Sequence, residues 1–344
     1  MKKLFIAIVA IAAAAACSNV ETVSLNQEAI AFDNAFVNNS VRSVNDPSYS
    51  NTNMFADFQV YGYVENAPLF NADNTGVTVS KNITNDELNS DWKYEGTQYW
   101  IAGAKYNFAA VAPMTNGGWE KTAADATSTT LSFTNNGETD LLYAYAAQEG
   151  KVSGNETVAF TFRHVLSKVK FSFENGYNAT NATIKVYDVQ IQNAWESATA
   201  TLGETSTAWG SHADNVVLSF GNASDDEATT NVKEDVEVDY AYGKTYETLN
   251  ERLLIPGVAP AVTVVDKVIN AYKVTFKVDL LVSDTVVATY NHTATATFAP
   301  VAGQAYDIKT VITATNIDPN HAQEPIEFTV TSIDGWDTTH NQNM

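Results

Sequence analysis

Cysteine is almost missing: the 344 residues contain one, Cys17. Past that position the chain can form no disulfide, no thiolate zinc site and no cysteine nucleophile. Arginine is nearly as scarce, with only Arg42, Arg163 and Arg252. After the opening segment no apolar run is long enough to cross a bilayer as a helix. Positive charge is short too: 19 Lys and Arg face 40 Asp and Glu, a formal charge of −21. Nothing here could replace the counterions around phosphate, which excludes nucleic acid as a partner, and docking on an anionic membrane by charge is excluded with it. The repulsion favours solubility, so self-association would have to come from strand pairing or apolar burial.

Chemistry-bearing motifs are also absent. There is no HExxH, no GxSxG, no phosphate-binding glycine loop and no dinucleotide fingerprint. The five histidines, His164, His212, His292, His321 and His340, share no metal-ligand spacing. His164 and His292 fall in predicted strands, as structural, hydrogen-bonded residues do. Asn71-Ala-Asp73-Asn-Thr75-Gly76 resembles the start of a calcium loop, but position twelve is Asn82 rather than a bidentate glutamate, so a hairpin turn is expected. The sequence therefore predicts no metal, no cofactor, no catalytic residue and no enzyme. Abundant carboxylates leave a hydrolase open without locating one. Trp92, Trp100, Trp119, Trp195, Trp209 and Trp336 could stack on sugars if exposed, which keeps a surface glycan-binding lipoprotein as an alternative.

What is present begins with an export leader. Lys2 and Lys3 precede an apolar stretch from Leu4 to Ile11 and small residues from Ala12 to Ala16, directly followed by Cys17. A cysteine after small residues is where a bacterial lipoprotein is cleaved and acylated. Its thiol would carry a diacylglycerol and its new amine a further chain such as palmitate, enough for stable anchoring. Ala14 stands where a bulkier residue is usual. Ordinary cleavage after Ala16, leaving an incidental thiol, is the competing reading. Lipidation at Cys17 is the expectation because thiols occur nowhere else.

The mature body alternates with a period of two. Tyr272, Val274, Phe276, Val278 and Leu280 interleave with Lys273, Thr275, Lys277 and Asp279, as on a strand with one wet face. Val158/Phe160/Phe162 and Val169/Phe171/Phe173 repeat the pattern. Further strands are predicted at Phe55–Tyr63, Tyr106–Val111, Leu141–Ala146, Thr183–Asn193, Val216–Phe220, Val287–Phe298, Tyr306–Thr315 and Ile326–Ile333. Turn clusters such as Asn135-Asn136-Gly137 and Pro256-Gly257 separate them. A short helix is expected only at Asp86–Asn89. This is an all-β chain of sandwich type, long enough for two domains meeting near Val165–Ser167.

Several stretches carry a family likeness: Asp91-Trp-Lys-Tyr94 with Tyr99-Trp100, Tyr106-Asn-Phe-Ala-Ala-Val-Ala-Pro113, Asp140-Leu-Leu-Tyr-Ala144, Val158-Ala-Phe-Thr-Phe-Arg-His164, Leu166-Ser-Lys-Val-Lys-Phe171, Leu253-Leu-Ile-Pro256 and Ile333-Asp-Gly-Trp336. In this order they resemble the fimbrillin (Mfa-like) lipoproteins of Bacteroidetes, the type V pilins, from about Ile30 to Trp336. The resemblance implies two transthyretin-like β-sandwich domains in tandem, residues 43–165 and 166–344, behind a leader (1–17) and a tether with a removable N-terminal strand (18–42). It also implies an outer membrane lipoprotein precursor that becomes part of a cell-surface fimbrium supporting adhesion, with other pilin subunits and an arginine-specific protease as partners. The host or bacterial surface ligand stays unidentified. A pilus anchor or tip adhesin is the alternative within the family.

The residues themselves bear on that implication. Arg163 and Arg252 fall in or beside predicted strands, whereas Arg42 stands alone in the polar stretch Asn38–Asn45, where nicking concentrates. Cleavage between Arg42 and Ser43 would release the lipid anchor together with a strand bearing Ile30, Phe32 and Phe36. A surface arginine in a tether is the plain alternative. The sheet edge so exposed could be refilled by a strand from another copy. The best donor is Ile326, Phe328 and Val330, equally well placed to be an ordinary last strand.

Overall fold

The computed structural model of the protein describes residues 28–37, 57–84, 87–114, 116–221, 243, 245–248, 250–317 and 324–333. Their regular structure is almost entirely strand, arranged around three hydrophobic cores. The first sheet runs in spatial order β1 (Phe32–Val37), β10 (Val158–His164), β9 (Leu142–Glu149), β6 (Lys105–Ala112), β2 (Asp57–Val64), β4 (Val77–Thr84) and β5 (Glu87–Lys93), with the short β3 (Ala67–Pro68) beside β2. All pairs along it are antiparallel except β1 with β10. One face gathers Phe58, Val60, Val79, Trp92, Phe108, Phe160 and Phe162 into an aromatic core. The sheet curls until β1 lies against β5.

A second sheet holds β14 (Thr245–Glu247), β11 (Ser167–Asn175), β20 (Ala305–Ile312) and β21 (Thr329–Ile333), with β15 (Arg252–Leu254) also on β11. The third comprises β19 (Thr285–Ala296), β18 (Tyr272–Val282), β12 (Ala182–Gly203), β8 (Ser128–Thr134) and β7 (Trp119–Ala124), with β13 (Thr207–Gly221) on the other edge of β12. β16 (Ala261–Val264) and β17 (Lys267–Asn270) form a separate hairpin. Sheets two and three enclose a core of Phe171, Phe173, Ile191, Phe220, Phe276 and Ile308. The predicted alternation is visible in β18, where Tyr272, Val274, Phe276, Val278 and Leu280 are all buried.

The remaining core lies between the first and third sheets. Tyr61, Val111 and Tyr143 of the first sheet pack with Leu131, Phe133, Ala198, Ala200 and Leu202 of the third, and with Val165, Leu166 and Leu253. β12 makes this possible. Its first part pairs with β18 and its last seven residues, Ser197–Gly203, pair with β8, so one strand serves both cores. Because the first sheet has a core on each side, β2 has no wet face: Phe58 and Val60 point to one core, Tyr61 and Tyr63 to the other.

Turn chemistry explains the connections. The Asn135 side chain accepts from Gly137 N (2.9 Å) and donates to Leu253 O (3.1 Å); Asn136 Oδ1 accepts from the amides of Glu138 and Thr139. At 71–76, Asn71 Oδ1 accepts from Thr75 N (2.7 Å) and its Nδ2 donates to Gly76 O (3.0 Å), a tied turn whose side-chain oxygen is occupied. Two expectations are corrected. Of the helix predicted at Asp86–Asn89, Glu87, Leu88 and Asn89 are instead strand, because Glu87–Lys93 pairs with β4 as β5, and Asp86 lies outside the described residues. The strand predicted over Tyr306–Thr315 stops at Ile312 and a one-turn helix, α1 (Ala314–Ile317), follows. There the Asn316 side chain accepts from Thr313 N at 2.8 Å.

Candidate functional site: the slot that holds the N-terminal strand

Residues 28–37 do more than extend an edge. Trp100 N donates to Glu28 O (3.0 Å) and Ile30 N donates to Gln98 O (2.8 Å), an antiparallel contact on one side. Tyr94 Oη donates to Ile30 O at 2.9 Å. On the other side Val158 N donates to Ala31 O (2.8 Å), and β1 then runs parallel to β10 with Phe32 opposite Val158 and Phe36 opposite Thr161. The segment is thus hydrogen-bonded along both flanks, in a slot between residues 94–100 and β10.

The apolar side chains seat in that slot. Ile30 is 2 % exposed and Phe32 3 %. The Phe32 ring stacks on Phe160 at 5.7 Å, meets Phe108 (5.7 Å) and Tyr94 (5.3 Å) edge-on, and lies 6.3 Å from Phe70. Offset and edge contacts of this kind add to the area term, which itself is worth about 1.5–3 kcal/mol per buried side chain. Of Phe36 and Asp33 only the backbone is described. The start of the segment is pinned by Glu28, whose carboxylate accepts from Asn155 N (2.6 Å), Gly154 N (2.7 Å) and Asn155 Nδ2 (2.7 Å). The Asn155 amide first, then Gly154 N and the Asn155 side chain, hold the Glu28 pKa below the usual carboxylate range. Nothing in the sequence pattern announced this anchor, since the loop that binds Glu28 lies more than a hundred positions away.

Two of the three arginines are locked. Arg163, in β10, donates to the carbonyls of Gly203 (2.8 Å), Glu204 (2.7 Å) and Ser206 (2.8 Å) and covers the Tyr143 ring. Arg252, in β15, pairs with Glu138 at 3.3 Å. Arg42, Ser43 and Cys17 lie outside the described residues.

The C-terminal segment sits in its own sheet. β21 pairs antiparallel with β20, with Val330 opposite Ile308. Ile326 is buried in the second-sheet core, and Phe328 meets Phe171 (5.7 Å) and Phe276 (6.1 Å) edge-on. Thr310 Oγ1 donates to Glu327 O (2.7 Å) and Gln304 Nε2 to Ile333 O (2.8 Å). The structure therefore does not bring 326–330 to the N-terminal slot within one chain; it packs Ile326 and Phe328 against another core and places Thr329 and Val330 at the start of β21.

The remaining aromatic and histidine positions serve packing. Trp92 and Trp100 are buried beside Phe58 and Tyr106. The indole N–H groups of Trp119, Trp195 and Trp209 donate to Pro113, Val258 and Val165 carbonyls. His164 Nδ1 bonds Asp140, and His212 Nε2 bonds Pro256 O. Trp336, His321 and His340 lie outside the described residues. No group of three metal-binding side chains occurs among the described residues.

His292 carries a pH expectation. It stacks between Phe276 and Tyr290, its Nε2 is buried without a hydrogen-bond partner, and burial pushes its pKa below the usual 6.5. The unfolded chain then binds a proton that the folded chain refuses, so stability falls as pH drops below 6.5. His292→Phe should flatten that decline between about pH 6.5 and 5, read from urea midpoints at both values. An unchanged slope would assign the acid sensitivity to other groups.

The sequence profile of the fimbrillin-like family matches residues 48–336. Among solved structures, a putative cell adhesion protein from Bacteroides uniformis is 16% identical, with a TM-score of 0.48 over 90% of this chain and 98% of that one. One from Bacteroides ovatus is 15% identical, with a TM-score of 0.45 and the same shares. The fimbrial anchor protein Mfa2 from Porphyromonas gingivalis is 12% identical, with a TM-score of 0.32 over 90% and 96%. No curated protein matches the chain. The profile match spans most of the sequence, and the chain belongs to the fimbrillin-like family.

Proposed function

We propose that this fimbria-associated protein is a polymerising pilus subunit whose residues 28–37 are a removable plug. The observation that carries the reading is the slot: a short segment, bonded along both flanks, seats Ile30 and Phe32 in an aromatic core, and Arg42 follows Phe32 by ten positions in the sequence. Cleavage between Arg42 and Ser43 by an arginine-specific protease would detach the plug together with the lipid on Cys17. Arg163 and Arg252, held by carbonyls and a carboxylate, are poor substrates by comparison. The emptied slot would present the unpaired edge of β10 and the faces of Phe108 and Phe160. A strand from a second copy restores both terms, and head-to-tail pairing of this sort propagates as a fibre.

The donor on this reading is 326–330. Ile326-Glu-Phe328 repeats the Ile30-Ala-Phe32 spacing, so Ile326 and Phe328 would take the places of Ile30 and Phe32. The exchange exposes Phe171 and Phe173 on the donor while covering Phe108 and Phe160 on the acceptor, so little apolar burial is lost. With Phe328 in Phe32's place, Thr329 falls where Asp33 now sits, opposite Ala159. Copies carrying Ala159→Cys and Thr329→Cys should form an intermolecular disulfide once the surface protein begins at Ser43 by N-terminal sequencing. Filaments that assemble without this cross-link would place the donor elsewhere. A surface protein that still begins at Cys17 would remove the processing step.

A further inference from the structure

Sheet edges in this fold are mostly defended. β13 meets β12 through three register irregularities, with Ser211 and Asp214 at positive φ. β7 carries Glu120 and Lys121 and is irregular between Lys121 and Ala123. β5 meets β4 through an irregularity between Lys81 and Ile83 and carries the exposed Lys93; β14 and β21 have three and five residues. Charge, bulges and shortness are the usual devices against edge-to-edge pairing.

β19 has none of them along most of its length. Its twelve residues pair, among the described residues, only with β18. From Thr285 to Tyr306 the chain contains no Asp, Glu, Lys or Arg, although the molecule carries −21 overall. The one irregularity, at Val287, sits beside the hairpin tip. Tyr290, His292, Ala294 and Ala296 face the core, while Val287, Thr289, Asn291 and Thr293 are exposed. The adjoining outer face is balanced. Lys277 pairs with Asp188 (2.7 Å), Lys185 lies opposite Asp279, and Thr289 Oγ1 donates to Asp279 (2.6 Å).

We propose that β19 is a self-association edge, pairing antiparallel with β19 of a second copy about a two-fold axis. A second copy is the occupant that the charges favour. Two molecules of −21 repel wherever their acidic surfaces meet, and across a rim without Asp or Glu that repulsion is low. Antiparallel self-pairing also sets exposed Thr, Asn and Val against one another, a good cross-strand combination. One strand ladder with its flanking side chains is smaller than a standard interface of roughly 800 Å² per partner. The association is therefore weak in dilute solution and effective where copies are crowded, as between neighbouring fimbriae. It uses neither the N-terminal slot nor 326–330 and stands apart from strand exchange.

The test is sedimentation equilibrium on the exported chain carrying Cys17→Ser and Arg42→Ala, which removes the lipid site and the proposed cleavage site. A monomer–dimer equilibrium is expected. Asn291→Lys with Thr293→Lys should weaken it by about tenfold or more, since the charges meet across the two-fold axis. Ala213→Lys with Asn215→Lys, on β13, should leave it unchanged. Thr293→Lys alone, at an exposed position, gives a second reading if the double variant melts earlier. A monomer at every concentration, or a dimer equally tight in the β19 variants, overturns the proposal.

Discussion

Phe32→Ala should destabilise the unprocessed chain by about 3–5 kcal/mol, the range for truncating a buried phenylalanine. The cost is placed at the high end because the ring contacts Phe70, Tyr94, Phe108 and Phe160 at once, so the surrounding side chains cannot collapse together into the space. In a thermal melt this corresponds to a fall of about 10 °C or more in the transition that includes the first sheet. Ala31→Lys is the control. Ala31 is exposed between two buried neighbours and its backbone carbonyl, which Val158 N uses, is retained. Its effect should stay within about 0.5 kcal/mol. If Phe32→Ala costs no more than the control, the segment is an appendage and the slot is not part of the core.

Arg42→Ala should abolish filaments in negative-stain images and leave full-length, membrane-associated protein that does not polymerise. The expected loss is complete because strand exchange cannot begin while Ile30 and Phe32 occupy the slot. The bound plug holds at least the burial of two large side chains, about 3–6 kcal/mol of gross burial, plus its hydrogen bonds along both flanks. An incoming strand faces that barrier in addition to the repulsion between like-charged copies. Arg42→Lys separates a protease that reads the guanidinium from one that accepts any cation: only the latter restores filaments. Filaments of ordinary length in Arg42→Ala would reduce the residue to part of a tether.

Much of this could be read from the chain. The alternation in 158–162, 169–173 and 272–280 identified strands whose buried rows are the ones found in the cores. Ile30 and Phe32 read from the sequence as apolar side chains of an N-terminal strand, and both are buried. β12 was underestimated, since the prediction ended at Asn193 while the strand runs to Gly203. Its last part, Ser-Ala-Thr-Ala-Thr-Leu-Gly, is made of small residues with weak alternation, and it is held as strand by pairing with β8 and β13 on both sides. The Asp86–Asn89 prediction failed for a related reason. Local propensity there is modest, and the ladder with β4 decides the conformation. Tryptophan position was illegible, because an indole that packs and one that waits for a ligand have the same spacing. The grip of Gly154 and Asn155 on Glu28 was invisible for want of any local signal.

The continuity of β12 has a mechanical meaning. At about 3.3 Å per residue, its 22 residues span at most roughly 70 Å, less where its bulges bend it. A single covalent backbone thereby runs through the third sheet from the part built on β18 to the part built on β8, in place of a soft hinge. Tension applied lengthwise is borne by ladder bonds on both flanks in shear, many sharing the load together rather than opening one after another.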